Sequence, residues 1–148
     1  MITLYTIGFT KKSAKSFFEL LINAKIERLI DIRINNSSQL AGFAKGADLE
    51  YFMNKICNAK YVHDTNLAPT KELLKSYRDG DTSWNEYIAT FNGLLKSRHI
   101  AERYDIEKYN NNCFLCTEDT PEQCHRRLVV EYLKKNNPDK QIRIIHLV

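Results

Sequence analysis

Chemically able residues gather late in the chain. Cys116 and Glu118 stand two apart, and Cys124-His125-Arg126-Arg127 follow just ahead of an apolar-periodic stretch. That stretch reads as a helix. A helix start offers unpaired backbone N–H groups and the positive end of a dipole, which together form an anion site. Arg126 adds a guanidinium able to grip a phosphate or carboxylate through two parallel hydrogen bonds, with His125 beside it as a further ligand-binding group. The same dipole lowers the pKa of a nearby thiol, so Cys124 is a candidate thiolate, with Cys116 as the alternative nucleophile. A plainer reading of Cys124 stands beside this one. It lies one helical turn before Leu128 and, as a small hydrophobe, would simply face the core. Glu118 is the candidate acid–base group of the cluster.

Spacing tests two familiar chemistries. Phosphatase- and rhodanese-like sites place an arginine six residues beyond the cysteine, across a phosphate-cradling loop. Glu122 occupies that offset from Cys116, and no arginine occupies it from Cys124. That chemistry is rejected. A closed zinc site from Cys113, Cys116, Cys124 and His125 has the right ligand types. However, a spacing of three on a strand sends Cys113 and Cys116 to opposite faces. Adjacent Cys124 and His125 on a helix would diverge by about 100°. We therefore expect no bound metal and no cofactor, although a looser set of Cys116, Glu118, His125 and His63 remains open.

Other polar residues fall where strands should end. Asp31 and Arg33 share a strand face by the period of two. They are either a structural ion pair or an anion clamp, with Asp31 as orienter or general base. His63, followed by Asp64, has the near-neutral titration suited to acid–base work. Thr6, Gly8 and Phe9 close the first strand and are candidate ligand contacts. Trp84, Tyr87 and Phe91 repeat at helical spacing and read as core. Phe9 and Phe43 lie near glycines in expected loops, where a ring would stack on a base or plug the core edge.

The elements that must position these residues alternate. Strands are expected over Ile2 to Ile7, Glu27 to Arg33, Lys60 to His63, Cys113 to Cys116 and Gln141 to Leu147. Helices are expected from Ser13 to about Lys25, over Asp48 to Asn58, over Lys71 to Tyr77 behind a Thr70 cap, and over Trp84 to Ser97 behind a Ser83 cap. A last helix carries Pro121 in its first turn and runs to about Lys135. Asn35 to Gly46 and Asp64 to Pro69 read as loops, and Arg98 to Asn112 as a short helix running into a loop. The alternation predicts an α/β fold: a single three-layer domain over residues 1–148, with a mostly parallel sheet of about five strands and helices on both faces. Ligands of such sheets bind at the carboxyl ends of the strands, where the residues above are found.

Composition bounds the function classes. The 148 residues are 43% hydrophobic and 27% charged, ordinary for a globular chain. No apolar run approaches the roughly 20 residues of a membrane span. The start lacks the pattern of a secretory signal, so a cytoplasmic location with reduced thiols is expected. Twenty-two Lys and Arg against 18 Asp and Glu give a formal charge of +4, which permits an anionic partner without demanding one.

Tyr5-Thr6-Ile7-Gly8-Phe9, Asp31-Ile32-Arg33, Tyr61-Val62-His63 with Leu67, Trp84-Asn85-Glu86-Tyr87, and above all Leu115-Cys116-Thr117-Glu118 with Cys124-His125-Arg126 occur in this order. The pattern resembles the domain-of-unknown-function 488 family. The resemblance implies a small α/β protein and carries no settled biochemical role. One departure is the segment after Asp31-Ile32-Arg33: a proline-containing stretch is usual in the family, and Ile34-Asn35-Asn36-Ser37-Ser38 stands here. Three readings follow. The first is an enzyme whose cleft takes a small phosphate-bearing or nucleotide-like ligand. The second is a nucleic-acid-associated module, suggested by the charge, the Arg126-Arg127 pair and the loop aromatics. The third is a non-catalytic partner or regulatory protein in which the polar groups only pair with each other. None of the three involves a membrane.

Overall fold

The structure is a computed structural model that describes residues 1–37 and 42–148. Five strands form one all-parallel sheet: β1 (Ile2–Gly8), β2 (Arg28–Asp31), β3 (Lys60–His63), β4 (Asn112–Cys116) and β5 (Ile142–Leu147), in the order β3-β2-β4-β1-β5. Helices α1 (Ala14–Asn23), α2 (Gly46–Cys57), α3 (Lys71–Arg78), α4 (Trp84–Ser97), α5 (Ile100–Arg103) and α6 (His125–Lys135) supply the crossovers that parallel strands require. The expected α/β class and five-strand parallel sheet are therefore present.

Topology sorts the helices. Connections β1→α1→β2 and β2→α2→β3 move one way along the sheet; β3→β4 and β4→α6→β5 move the other way. Right-handed crossovers then put α1 and α2 on one face and α3–α6 on the opposite one. The two apolar clusters obey this. Phe17, Phe18, Leu21, Leu49 and Met53 pack with Ile7, Leu29, Cys113 and Leu115. Leu73, Tyr87, Phe91, Leu95, Leu128, Val129 and Leu133 pack with Leu4, Ile30 and Phe114. Central strands are covered twice, which is why every residue of β4 is buried and β1 is buried at all but Tyr5. Thr6, inside this strand, is satisfied by His146 Nδ1 at 2.6 Å across the β1–β5 pair.

Local signals set most boundaries. Ser13, Thr70 and Ser83 each accept a backbone N–H at the start of α1, α3 and α4, and Ser83 with Glu86 completes a capping box. The structure departs from expectation at several places. Strand β2 ends at Asp31, so Arg33 follows the strand and does not share its face with Asp31. Helix α2 begins at Gly46, two residues early, with Asn58 closing it in the left-handed region at φ 51°. The segment read as a short helix into a loop is α5 followed by a 3-10 turn, Ile106–Tyr109. Helix α6 begins at His125, so Pro121 precedes it in a turn instead of opening it. The expected loop over Asn35 to Gly46 is partly outside the described residues; its end folds as a 3-10 turn, Gly42–Ala44.

Candidate functional site

A cleft of about 300 Å³ opens at the carboxyl ends of β2 and β4, on the side of α3, α4 and α6. Cys116, Thr117 and Glu118 form its floor after β4; Cys124 and His125 come from the start of α6; Arg33 and Asn35 follow β2. Pro69, Leu74, Tyr77, Arg78 and Trp84 make the facing wall.

Cys116, Cys124 and His125 form the centre, each buried, with their ligand-capable atoms all within 4.8 Å of one another. Cys116 Sγ is 3.2 Å from His125 Nδ1. His125 Nε2 is 2.7 Å from the Ile32 carbonyl oxygen. A carbonyl only accepts, so Nε2 carries the ring proton and Nδ1 presents its lone pair to the sulfurs. Convergence of adjacent Cys124 and His125 has a local cause. Cys124 caps the helix from outside it, in extended backbone at φ −135° and ψ 140°. The helical divergence expected from the sequence therefore does not apply. Cys113, by contrast, faces the core on the α1–α2 side, as the strand period requires.

Burial opposes ionisation of Cys116. The Cys124 thiol, the Thr117 N–H, the charge of Arg126 and the Glu118 N–H together outweigh it and hold this pKa below the ordinary thiol value. Cys124 moves the other way: burial raises it, and its hydrogen bond to Cys116 and the charge Cys116 carries when ionised raise it further. Cys116 is thus the more readily ionised thiol of the pair, whereas the helix dipole had pointed to Cys124.

Arg33 and Asp31 are buried and pair through two hydrogen bonds, Nε to Oδ1 at 2.8 Å and Nη2 to Oδ2 at 2.6 Å. Nη2 also donates to the Ala44 carbonyl at 2.7 Å, and Tyr61 Oη donates to Asp31 Oδ2 at 2.6 Å. Burial works against the Arg33 charge, but the hydrogen bonds and charge of Asp31 overcome it and raise its pKa. Both carboxylate oxygens of Asp31 are occupied, which fits the orienter role and not a general base. Nη1 of Arg33, shielded from solvent, has no hydrogen-bond partner among the described residues. The guanidinium lies 5.2 Å from the Phe9 ring centroid.

The loop after β4 is held from behind. Arg126 is fully buried and donates from Nη1 to the Glu118 carbonyl and from Nη2 to the Asp119 carbonyl. Thr10 Oγ1 donates to the Thr117 carbonyl at 2.7 Å, and Lys12 Nζ pairs with Asp119 at 3.3 Å. The loop passes so close over Gly8 that an added Cβ would overlap the Glu118 carbonyl oxygen.

Of the residues expected at the site, Arg33, Cys116, Glu118, Cys124 and His125 line the cleft. Asp31, Thr6, Gly8, Phe9, His63 and Arg126 do not. Asp31, Gly8 and Arg126 support groups that do, Phe9 packs under Arg33, and the exposed His63 sits 2.7 Å by its Nε2 from the Arg33 carbonyl. Sequence reasoning missed the far wall. Trp84, assigned to core with Tyr87 and Phe91, is only half-buried and borders the cleft. Arg78, exposed at the end of α3, makes no ion pair among the described residues. No local feature of the sequence marks it for the cleft. Phe43 packs on Phe17 and Phe18 and leaves the cleft untouched.

Among the described residues no helix is long and apolar enough to cross a membrane. No curated protein and no solved structure matches the chain. The family model described as "Domain of unknown function DUF488" matches residues 13–133, a span that includes β2, β4, the cleft walls and most of α6. The chain belongs to the DUF488 family.

Proposed function

We propose that the protein is an enzyme whose cleft at the strand ends binds a small anionic substrate, of phosphate-bearing or nucleotide-like chemistry. The observation that carries this reading is convergence on one cleft: two cationic groups, Arg78 and Arg33, an exposed acid, Glu118, and the buried Cys116–Cys124–His125 cluster. Such a cleft, mostly apolar with a few aimed polar groups, has the size of small-ligand sites. Arg78 is exposed and free to swing onto an anion; Arg33 is held rigid by Asp31 and has an unused donor. Glu118 is exposed and supplies acid–base function at the cleft floor. The nucleic-acid reading loses part of its motive, because Arg126 is fully buried and offers no charge to a phosphate backbone. The partner-protein reading fits the Arg33–Asp31 pair but leaves the cleft unused.

The test is a thermal-shift screen of the reduced, chelator-treated protein against nucleotides, sugar phosphates, inorganic anions and short oligonucleotides at two salt concentrations. A ligand at 100 times its dissociation constant adds about 2.7 kcal/mol. For a chain of this size that is a shift of roughly 5–11 °C. A salt-resistant shift with a small phosphate compound, lost in Arg78→Ala, is the expected result. A shift confined to oligonucleotides and abolished by salt overturns it in favour of a nucleic-acid module.

A further inference from the structure

We propose that Cys116, Cys124 and His125 bind a zinc-class divalent cation through two thiolates and the imidazole Nδ1, leaving a fourth coordination position open to the cleft. The proposal goes beyond the anion-binding reading and does not depend on it.

Four observations support a metal centre over a merely packed cluster. First, the donor set matches: two sulfurs and one imidazole nitrogen suit zinc and its borderline-soft neighbours, and disfavour calcium or magnesium. Secondly, the spacing is close to what a metal needs. Zinc–sulfur and zinc–nitrogen bonds of about 2.3 and 2.0–2.1 Å at tetrahedral angles put ligand atoms about 3.6–3.8 Å apart. Here the three atoms are all within 4.8 Å, and the closest sulfur–nitrogen pair is at 3.2 Å. Small side-chain rotations therefore close the site. Thirdly, the imidazole is already set as metal-binding histidines are. Its distal nitrogen donates to the Ile32 carbonyl, which fixes ring and tautomer and leaves Nδ1 as the acceptor facing the sulfurs. Fourthly, all three residues border the cleft while Cys113, the remaining cysteine near them in sequence, is turned to the opposite core. A three-residue set beside a cleft has the form of catalytic zinc sites, which keep one position for water or substrate; structural sites close with four ligands.

On binding, each sulfur exchanges its proton for a metal bond, and any thiol protons pass to solvent. Two thiolates neutralise the dication, so the buried centre carries no net charge from metal and ligands. Glu118 lines the same cleft, two residues from Cys116.

The experiment uses the full chain, reduced, stripped with chelator and titrated with Co²⁺, then Zn²⁺. One equivalent of Co²⁺ is expected to give the near-ultraviolet sulfur-to-cobalt charge-transfer band and the intense visible bands of a tetrahedral site, both removed by Zn²⁺. Cys116→Ser and Cys124→Ser should lose the sulfur band in part and bind at least tenfold more weakly, while Cys57→Ser keeps wild-type behaviour. A second readout needs no variant: Zn²⁺ should protect Cys116 and Cys124, but not half-buried Cys57, from alkylation followed by peptide mass mapping. Absence of cobalt bands from the reduced wild-type chain, bands that survive unchanged in both serine variants, or equal alkylation with and without Zn²⁺ each overturn the proposal. Because the anion screen is run on metal-free protein, a failed metal titration leaves the anion reading standing, and a failed anion screen leaves the metal site standing.

Discussion

Gly8→Ala is the smallest change expected to unsettle the whole site. Gly8 ends β1 opposite Cys116, and the loop after β4 crosses directly over its Cα. A methyl group there would overlap the Glu118 carbonyl oxygen and stand 2.6 Å from the carbonyl carbon, against backbone that cannot rotate away. It would also meet Nη1 of Arg126, the group that holds the same carbonyl. Two costs combine. Overpacking a fixed core position costs about 1–3 kcal/mol. Displacing a carbonyl from a buried guanidinium forfeits a charge-assisted hydrogen bond worth about 1.5–3 kcal/mol. The expected loss is therefore roughly 2.5–6 kcal/mol, a large share of the 5–15 kcal/mol typical of a domain. Each kcal/mol moves Tm by about 2–4 °C at this length, so a fall of roughly 5–24 °C is expected. Urea denaturation of the variant measures it, and the anion and metal titrations read whether Cys116 and Glu118 remain in place. A variant within 0.5 kcal/mol of wild type, the range of a neutral surface change, would refute the close approach of loop and strand on which the site depends.

Two further outcomes follow from buried charge. Asp31→Ala leaves the Arg33 guanidinium buried without its carboxylate and should cost about 3–5 kcal/mol, whereas replacing both partners by apolar residues of similar volume should recover most of it; urea midpoints of the single and double variants decide. The His146 pKa is held below its ordinary value by burial and by the charge of Arg126, so the folded state disfavours its protonated form. Its stabilisation is complete above the ordinary histidine pKa of about 6.5 and is lost as pH falls. Wild type should thus lose more stability than His146→Gln between about pH 8 and pH 5, the range where histidine titrates; equal losses would contradict that shift.

The fold was legible because its signals are local. Ser13, Thr70 and Ser83 announce helix starts, and the short apolar runs at Leu29 to Asp31 and Cys113 to Cys116 can be buried on two faces only in a parallel sheet. Pro121 misled because a proline suits a first helical turn, but here tertiary ties from Thr10, Lys12 and Arg126 hold the preceding loop in turns until His125. Arg126 was readable in part. It stands three, four and seven residues before Val129, Val130 and Leu133, so it belongs to the inward stripe of α6 and not to an exposed first turn. Arg78 and the cleft side of Trp84 were not readable, since nothing local tells which end of a helical stripe overhangs the sheet.

The same ties explain where the cleft lies. Sheets of this kind bind ligands where neighbouring strands send their connections to opposite faces. Here that point is between β1 and β4, whose following helices α1 and α6 lie on opposite sides. The crevice is not left open. The loop after β4 folds back into it over Gly8, and Arg126, Thr10 and Lys12 fasten it there. Filling that crevice moves the open space to the other side of β4, toward β2, where Arg33 rather than Phe9 becomes the neighbour of Cys116. The Thr117 and Glu118 N–H groups of the seated loop help to hold the Cys116 pKa down. Gly8 therefore acts on the chemistry without touching a ligand: its missing side chain is the space that lets the loop seat, and the seated loop is what presents the sulfurs, His125 and Glu118 to one cleft.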